Sequence, residues 1–366
     1  MYNFKNFFLN KRVLITGHTG FKGSWLSLWL YLMGAKVIGV SLNKPTNPSH
    51  FDKLKLKNKI FDLRLDIRNL EKLNLVFKKY KPDMIFHLAA QSLVRRSYKE
   101  PINTFSTNII GTLNILDCMK SYKKKCNAVI ITSDKSYKNL EIKRGYHEND
   151  LLGGKDPYSA SKASAELIIQ SYVNCYFNNN DKNKLAIARA GNVVGGGDWS
   201  EDRLIPDCIR ACIKNNKTII RNPSSTRPWQ HVLEALRGYL VLGIFLSKNK
   251  KISGEPFNFG PKISQDKSVY SFLKEMKKNW NKIQWKIKKN KSKEHESKLL
   301  KLNSSKAKKY LNWKAILQFK ETAQMTAKWY KEYYKNPSKA FYLSKQQILD
   351  YSRRIDKNQG TINQKK

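Results

Sequence analysis

The sequence predicts an α/β protein with a doubly wound parallel sheet and a smaller mixed α/β C-terminal domain. Three observations predict this fold. Strand-like and helix-like segments alternate through the first half of the 366 residues. The strand-like segments are apolar without polar alternation, as in strands that are buried on both faces. A glycine-rich turn, Gly17 to Gly23, joins the first strand to the first helix, where doubly wound sheets bind dinucleotides.

The hydrophobic pattern sets the order of the elements in the first half. Strands are predicted at residues 13–16, 36–40, 60–65, 84–88, 128–133 and 185–189. Helices are predicted at residues 22–33, 69–80, 101–121 and 157–177. Because crossovers between parallel strands are right-handed, this order places helices on both faces of one sheet.

After Arg189 the regular alternation stops, and this change predicts the domain organisation. A dinucleotide-binding domain is predicted over residues 1–190, with 220–248 packing back on it. A substrate-binding domain is predicted from 191–219 together with 249–340, and a polar C-terminal tail over 341–366.

The net charge of +42 leaves two interpretations open. A basic protein can bind nucleic acid through phosphate contacts. Here the charge is mostly lysine, spread along the chain with little aromatic interleaving, and we therefore favour a solvated surface and predict no nucleic-acid partner.

Composition also bears on compartment, membrane and metal. The longest apolar stretch, residues 25–33, is much shorter than the roughly 20 residues that span a bilayer. The five cysteines have no metal-ligand spacing, and no signal peptide is evident. We therefore predict a cytoplasmic protein with no membrane association and no metal.

The glycine-rich turn carries the first candidate site. Glycines allow a tight turn and a close approach to a pyrophosphate, and the following helix offers free N–H groups to that anion. The residues predicted to bind the cofactor here are Gly17, Thr19, Gly20, Phe21, Lys22 and Gly23.

The ends of the next strands supply further cofactor candidates. Asn43 stands where an acidic residue is expected to hold the ribose, and a neutral amide does not exclude a 2′-phosphate, so NADP stays possible beside NAD. Asp66 can accept from the adenine amino group or cap the next helix. The remaining cofactor candidates are Ile67, Leu88, Ala89, Ala90 and Asn108, together with Tyr158 and Lys162.

Acid–base residues follow the fifth strand. Ser133, Asp134 and Lys135 place a hydroxyl, a carboxylate and an amine side by side. Tyr158 and Lys162 share a helix face at i and i+4, where an ammonium can stabilise a phenolate that takes a proton from an alcohol. With the glycine-rich turn, these residues predict hydride transfer to a nicotinamide.

These motifs resemble those of the extended short-chain dehydrogenase/reductase family, with its Rossmann-type fold. The finer likeness is to its nucleotide-sugar dehydratase branch, over about residues 3–335. It lies in the segments 16–25, 132–137, 195–199 with 203–206, and 227–232.

The resemblance implies a reaction and a role for each residue. Tyr158 would remove the C4 hydroxyl proton of the sugar as hydride passes to NAD, with Ser133 bonded to the C4 oxygen. Asp134 would protonate the leaving C6 hydroxyl. Lys135 would be the C5 base, as in the CDP-sugar subfamily, although an ion pair with Asp134 is an alternative role.

The resemblance also implies partners. The substrate would be a nucleotide-sugar, and a homodimer is expected. Alternatives are another nucleotide-sugar dehydratase, a 4-epimerase, or a basic nucleic-acid-binding protein on a degenerate fold. The candidate substrate-binding residues are Gln91, Asn192, Arg203, Arg227 and His231.

Overall fold

The computed structural model describes residues 4–177, 182–262, 267–288 and 300–363. The strands are β1 (Arg12–Thr16), β2 (Lys36–Ser41), β3 (Phe61–Arg64), β4 (Met84–His87), β5 (Cys126–Ile131), β6 (Asn183–Ala190), β7 (Val193–Val194), β8 (Thr218–Ile220), β9 (Thr226–Arg227), β10 (Gln230–His231), β11 (Pro256–Phe259), β12 (Lys267–Ser268) and β13 (Trp285–Ile287). The α-helices are α1 (Phe4–Phe8), α2 (Phe21–Leu32), α3 (His50–Lys53), α4 (Leu70–Tyr80), α5 (Val94–Lys99), α6 (Pro101–Phe105), α7 (Gly111–Ser121), α8 (Pro157–Tyr172), α9 (Leu204–Ile213), α10 (Val232–Lys248), α11 (Val269–Asn279), α12 (Ser305–Leu311), α13 (Phe319–Lys335) and α14 (Ala340–Asn363).

The central sheet has seven parallel strands in the order β11-β6-β5-β4-β1-β2-β3. The chain runs outward from β1 to β3 and then returns to β4 on the other side of β1. This reversal opens a crevice at the carboxyl ends of β1 and β4, where such sheets bind ligands. The predicted doubly wound fold is confirmed.

Apolar side chains cover both faces of the sheet. On one face α2 and α10 contribute Trp25 and Leu236, among others, to a buried core. On the other face α4, α7 and α8 contribute Leu73, Leu116 and Ile169. Sheets covered on both sides require apolar strands, which is why β1, β4 and β5 show no alternation.

Two segments differ from the predicted division of the chain. Residues 256–259, predicted in the substrate-binding domain, form β11 at the edge of the main sheet, where Phe257 pairs with Ala188. The predicted polar tail over 341–366 is helical through Asn363, and Ile348 and Tyr351 are buried in the core. Burial against the sheet and the core, which the local sequence pattern does not reveal, decides the state of both segments.

The predicted helices at 101–121 and 157–177 contain π-helical turns. Ser106–Ile110 is a π turn between α6 and α7, and Val173–Phe177 is another after α8. π turns inside helices are frequent near functional sites.

The smaller region surrounds the sheet's carboxyl edge. It contains α9, α11, α12 and α13, and the strand pairs β7–β10, β8–β13 and β9–β12. An aromatic cluster that includes Trp199, Trp329 and Tyr333 joins this region to α2 and α14. Among the described residues, no helix has the length and apolar character needed to cross a membrane.

Candidate active site

The turn between β1 and α2 is shaped to receive an anion. Gly17 has φ +77°, and a Cβ on it would lie 2.7 Å from the Ala89 backbone nitrogen. A Cβ on Gly23 would lie 2.1 Å from the Gly17 carbonyl oxygen, so both positions require glycine. Gly20 is the N-cap of α2 and supplies no side-chain cap, which leaves N–H groups of the first turn for a ligand. The turn therefore fits a dinucleotide pyrophosphate.

Side chains fasten this turn to the neighbouring strand ends. The Thr19 hydroxyl donates to the Asn43 carbonyl oxygen at 2.8 Å, and the Thr19 N–H donates to the Ser41 hydroxyl. His18 lies buried between Ser41 and Asp62, at 2.9 Å and 2.8 Å. Burial lowers the pKa of His18 although Asp62 opposes this. Sequence reasoning missed His18 and Asp62, because their contact depends on the pairing of β2 with β3.

At the end of β3, the Asp66 carboxylate forms an ion pair with the Arg68 guanidinium. Both Asp66 carboxylate oxygens accept from the Arg68 guanidinium, which holds the pKa of Asp66 below its usual range. The alternative that Asp66 caps α4 is wrong, because Asn69 is the cap and accepts from the Lys72 N–H. Ile67 is buried beside Gly111 of α7.

Asn108 ties the end of β4 to the helix that carries Tyr158. Its amide accepts from the Gln91 N–H at 2.9 Å and donates to the Gln91 carbonyl at 3.1 Å. It also donates to the Ser161 hydroxyl at 2.8 Å, and Ser161 in turn donates to the Tyr158 carbonyl oxygen. Asn108 therefore sets the distance between the two elements. The predicted Leu88, Ala89 and Ala90 lie in this connection, next to Gly17.

The Gln91 side chain is occupied within its own loop. Its amide donates to the Leu93 carbonyl and the Thr104 hydroxyl, and it accepts from the Leu93 N–H. These bonds give Gln91 a structural role in shaping the loop after β4.

The polar residues after β5 form a single turn beside Tyr158. Ser133 caps the one-turn helix Asp134–Ser136. Its hydroxyl donates to Asp134 Oδ1 at 3.0 Å and accepts from the Lys135 N–H at 3.2 Å. Ser133 and Asp134 also lie close enough to Tyr158 to act on its pKa, which Ser133 lowers and Asp134 raises. The structure thus brings Ser133, Asp134 and Tyr158 together.

Burial dominates the acid–base properties of these groups. It raises the pKa of Asp134, which the charge of Lys135 opposes. It also raises the pKa of Tyr158, against a lowering by Ser133, so the lowering expected from Lys162 does not prevail. The Lys162 ammonium donates to the Ile131 carbonyl at 3.3 Å, and burial lowers its pKa to about 8 although Glu166 opposes this.

A second lysine and a second tyrosine face the same space. The Lys22 ammonium donates to the Tyr239 hydroxyl at 3.4 Å. Burial lowers the pKa of Lys22 to about 8, an effect that Arg203 strengthens and Asp134 opposes. Lys22, predicted to bind cofactor, therefore also lies within reach of the acid Asp134. Tyr239 was missed, since a tyrosine in the apolar helix α10 carries no local sign of a site.

A saturated polar cluster supports the turn from behind. The fully buried Glu166 accepts from the Thr132 hydroxyl at 2.6 Å and the Ser136 hydroxyl at 2.9 Å. It also accepts from Arg189 Nε at 2.9 Å, and Arg189 donates to the Tyr137 hydroxyl at 2.6 Å. Thr132 and Ser136 flank the Ser133–Lys135 triplet, so Glu166 fixes it at both ends. The signal in the sequence was that Glu166 and Arg189 are charged residues within otherwise buried elements.

The predicted substrate residues lie in two places. Arg203, the N-cap of α9, contacts Asp198 at 3.4 Å. Its charge lowers the pKa of Tyr158 and of Lys22. Arg227 lies on β9 and donates to the Thr226 carbonyl, and Asn192 accepts from the Gln230 N–H through its carbonyl. Arg203 is therefore placed at the reacting groups.

His231 is completely buried at the start of α10. Its Nδ1 accepts from the Leu233 N–H, and burial lowers its pKa to about 3, so the ring is neutral. Among the described atoms its Nε2 has no hydrogen-bond partner. This environment indicates a pocket-lining or structural residue.

Comparisons with known proteins agree with this geometry. The model of the family described as GDP-mannose 4,6 dehydratase matches residues 14–326. The chain is 44% identical over 351 residues to the CDP-glucose 4,6-dehydratase of Salmonella typhimurium, which covers 95% of this chain and 98% of that protein. It is 30% identical over 256 residues to the dTDP-D-glucose 4,6-dehydratase of Dictyostelium discoideum, which covers 66% of this chain and 57% of that protein.

Solved structures share the fold. The dTDP-glucose 4,6-dehydratase of Bacillus anthracis in complex with NAD superposes with a TM-score of 0.73 at 22% identity, covering 88% of this chain and 97% of that chain. The UDP-glucose 4-epimerase of Thermotoga maritima with UDP-glucose superposes with a TM-score of 0.74 at 22% identity, covering 88% and 99%.

Proposed function

Because the chain belongs to the GDP-mannose 4,6 dehydratase family, within the extended short-chain dehydrogenases/reductases, we propose that it is an NAD-dependent CDP-glucose 4,6-dehydratase. It converts CDP-glucose to CDP-4-keto-6-deoxyglucose and water. The observation that carries the proposal is the turn after β5, where Ser133 donates to Asp134, a carboxylic acid of raised pKa, beside Tyr158. A simple hydride-transfer enzyme needs the phenol but has no use for this acid.

The turn between β1 and α2 is the place for NAD. Its glycines and the N-terminus of α2 would hold the pyrophosphate. Asn43 and Asp66, at the ends of the neighbouring strands, would lie toward the adenosine. Bound there, NAD supplies a reversible hydride acceptor.

The residues then divide the proton transfers among them. Tyr158 takes the proton of the C4 hydroxyl, and Ser133 holds the C4 oxygen. The resulting ketone acidifies the C5 proton, which Lys135 removes. Asp134 protonates the C6 hydroxyl, which leaves as water. The raised pKa of Asp134 keeps it in the protonated form to a higher pH than an ordinary carboxyl.

Arginine forks are suited to the diphosphate of the substrate. Arg203 reaches the reacting groups, and Arg227 lies on a strand of the smaller region. With Asn192 they form the set that would grip sugar and diphosphate.

The test is product formation by the purified protein with CDP-glucose and NAD. The 4-keto sugar has an alkali-induced absorbance, and mass spectrometry detects the loss of one water. Turnover of dTDP-glucose or GDP-mannose in preference to CDP-glucose would overturn the choice of nucleotide. Conversion of UDP-glucose to UDP-galactose without loss of water would indicate a 4-epimerase.

A second measurement separates Lys135 from Asp134. In deuterated water, removal of the C5 proton exchanges it for deuterium. Lys135→Met is expected to abolish this exchange, whereas Asp134→Asn retains exchange and loses water elimination. The reverse pattern would contradict the assignment.

The basic surface offers a competing function. A nucleic-acid-binding protein would bind DNA of any sequence, with an affinity that falls steeply as the salt concentration rises. We predict no nucleic-acid partner, so binding of this kind together with a lack of turnover of nucleotide-sugars would favour the competing function.

Assembly and location complete the proposal. Large apolar side chains on the outer surface of α6–α8 are exposed, with Ile102 at 84% and Leu167 at 57%. Such a patch supports a homodimer formed through the helix that carries Tyr158. We place the enzyme in the cytoplasm, where its product would supply deoxysugars for O-antigen and other surface polysaccharides. Mass measurement of the native protein in solution tests the dimer.

A further inference from the structure

The Asp134 carboxyl lies against two residues without polar side chains, Gly191 and Pro228, which together are called the Asp134 wall here. A Cβ on Gly191 would lie 3.0 Å from Asp134 Oδ2 and 3.3 Å from Pro228 Cγ. The backbone of Gly191 does not have a positive φ, so lack of space, and not conformation, excludes a side chain at this position. The carboxyl therefore occupies the space that a side chain at residue 191 would need.

Strand pairing brings the two residues of the wall together. β7 and β10 pair in parallel, with Val193 opposite Gln230. Two residues earlier on both segments, the same register places Gly191 opposite Pro228. The Gln230 N–H donates to the Asn192 carbonyl at 3.2 Å, so the pairing begins directly beside the wall. The position of the wall is therefore fixed by the backbone.

The residue that follows Pro228 anchors it from the other side. The Trp229 ring is buried and stacks on Phe272, with ring centroids 4.4 Å apart. Its indole N–H donates to the Lys267 carbonyl at 2.8 Å. Pro228 itself is buried and has no N–H to offer. This accounts for part of the 227–232 motif, which the proposed function leaves without a role.

The two oxygens of Asp134 have different surroundings. Oδ1 accepts from the Ser133 hydroxyl at 3.0 Å, whereas Oδ2 faces Gly191. In a carboxylic acid one oxygen carries the proton and the other is the stronger acceptor. The bond from Ser133 therefore favours Oδ1 as the carbonyl oxygen and places the acid proton on Oδ2. The wall lies against the oxygen that carries this proton.

We propose that Gly191 and Pro228 are positioning residues, which hold Asp134 Oδ2 at the point from which it protonates the leaving C6 hydroxyl. In this step the Oδ2–H bond breaks and its proton joins the C6 hydroxyl. The C6–O bond breaks with its electron pair on the departing water, and the electrons of the C5–H bond form the C5=C6 bond. This inference rests on the proposed function.

Charged and titratable groups face the Asp134 carboxyl from the other elements around it. Burial raises the pKa of Asp134, which the charges of Lys135 and of Lys22 on α2 oppose. Asp134 in turn raises the pKa of Tyr158 on α8 and of Tyr239 on α10. The wall adds no charge to this set. It excludes water from one side of the carboxyl, and this favours the neutral acid.

The balance between two steps of the reaction tests the wall. Gly191→Ala places a methyl group 3.0 Å from Oδ2, so the carboxyl must move. Water elimination from CDP-glucose is expected to fall by about 10–100-fold. Exchange of the C5 proton in deuterated water precedes protonation by Asp134 and is expected to persist, so deuterium accumulates in recovered substrate. Equal loss of exchange and elimination would overturn the positioning role.

A second glycine provides the matched control. Gly260→Ala also introduces a crowded methyl group, 3.2 Å from Leu302 Cβ. It is expected to leave the ratio of exchange to elimination at the wild-type value, whatever its effect on stability. A change in this ratio equal to that of Gly191→Ala would show that crowding in general, and not the contact with Asp134, is responsible.

A measurement without substrate separates failure of the wall from failure of the proposed function. The infrared C=O band of protonated Asp134 is identified by its loss in Asp134→Asn. Gly191→Ala is expected to shift this band, and Gly260→Ala is not. An unshifted band in Gly191→Ala contradicts the contact, whatever the substrate is. A shifted band beside a wild type that turns over no nucleotide-sugar contradicts the proposed function and leaves the contact in place.

Pro228→Ser tests the other half of the wall without adding bulk. A hydroxyl and a backbone N–H in place of the apolar ring reduce the desolvation of the carboxyl, so the pKa of Asp134 should fall. The infrared band is therefore expected to disappear at a lower pH than in the wild type. A band that disappears at the same or a higher pH would overturn the role of Pro228.

Discussion

The front and the back of the turn after β5 differ in how completely their polar groups are bonded. On the back, Thr132 and Ser136 are bonded to Glu166, which is paired with Arg189. On the front, Asp134 and Tyr158 are buried with their charged forms poorly compensated, so both pKa values are raised. Apart from Arg189 on β6, the two sets lie within five consecutive residues and one helix.

This difference shows how a reactive site is held. Buried carboxylates are costly unless they are paired and hydrogen-bonded, and Glu166 meets that condition. Asp134 does not meet it, and its raised pKa keeps a proton on the carboxyl that a reaction can use. The fully hydrogen-bonded groups on the back hold the turn in place, and the poorly compensated groups on the front supply the reactivity.

Removing the acid on the front should have the largest effect. Asp134→Asn keeps the shape and still accepts from Ser133, but it cannot deliver a proton. We expect turnover of CDP-glucose to fall by about 10²–10⁴-fold, the usual contribution of a positioned acid. The check is steady-state formation of the 4-keto sugar. Asp52→Asn, at an exposed pair with Lys44, should leave turnover unchanged. Turnover of Asp134→Asn within a few-fold of the wild type would remove Asp134 from the mechanism.

Breaking the ion pair on the back should cost stability. Arg189→Met removes the cation that is hydrogen-bonded to the buried Glu166, and we expect the free energy of unfolding to fall by about 3–5 kcal/mol. Denaturant unfolding measures it. Arg353→Met, at an exposed pair with Asp350, is the matched control and should show no change beyond error. Equal effects of the two variants would mean that the buried pair contributes no special stability.

A milder change on the back should separate stability from catalysis. Thr132→Val removes one hydroxyl donor to Glu166 and keeps the volume of the side chain. A hydrogen bond to a charged group contributes about 1.5–3 kcal/mol, so unfolding should become easier by roughly that amount. We expect turnover at low temperature to change much less than in Ser133→Ala, by the same 4-keto sugar assay. A turnover loss as large as that of Ser133→Ala would place Thr132 on the reactive side.

The smallest effect should be a pH dependence of stability that originates on the front. The pKa of Asp134 is raised on folding, so its contribution to stability is present at low pH and is lost as pH rises through the folded-state pKa. Asp134→Asn does not titrate there. The stability of the wild type relative to this variant should therefore decline with rising pH, as measured by urea unfolding at several pH values. A difference that stays constant with pH, or increases, would contradict burial as the cause.

Local sequence was sufficient to predict much of the candidate cofactor site. The turn Gly17–Gly23, the apolar strands and the Tyr158–Lys162 spacing are each written within a few consecutive residues, and chain neighbours set their geometry. The places of β11 and α14 could not be predicted in this way, because only contact with the sheet and α2 shows that their apolar residues are buried.

By itself the sequence determined the doubly wound sheet, the glycine turn and the placement of a hydroxyl, a carboxylate and an amine after β5. The tertiary structure alone decided that burial raises the pKa of Tyr158 although Ser133 and Arg203 lower it, that Glu166 meets Arg189, and that Tyr239 approaches Lys22. The physical reason is that periodicity and turn chemistry depend on adjacent residues. A pKa or a buried ion pair depends on distances between groups far apart in the chain, which exist only once it has folded.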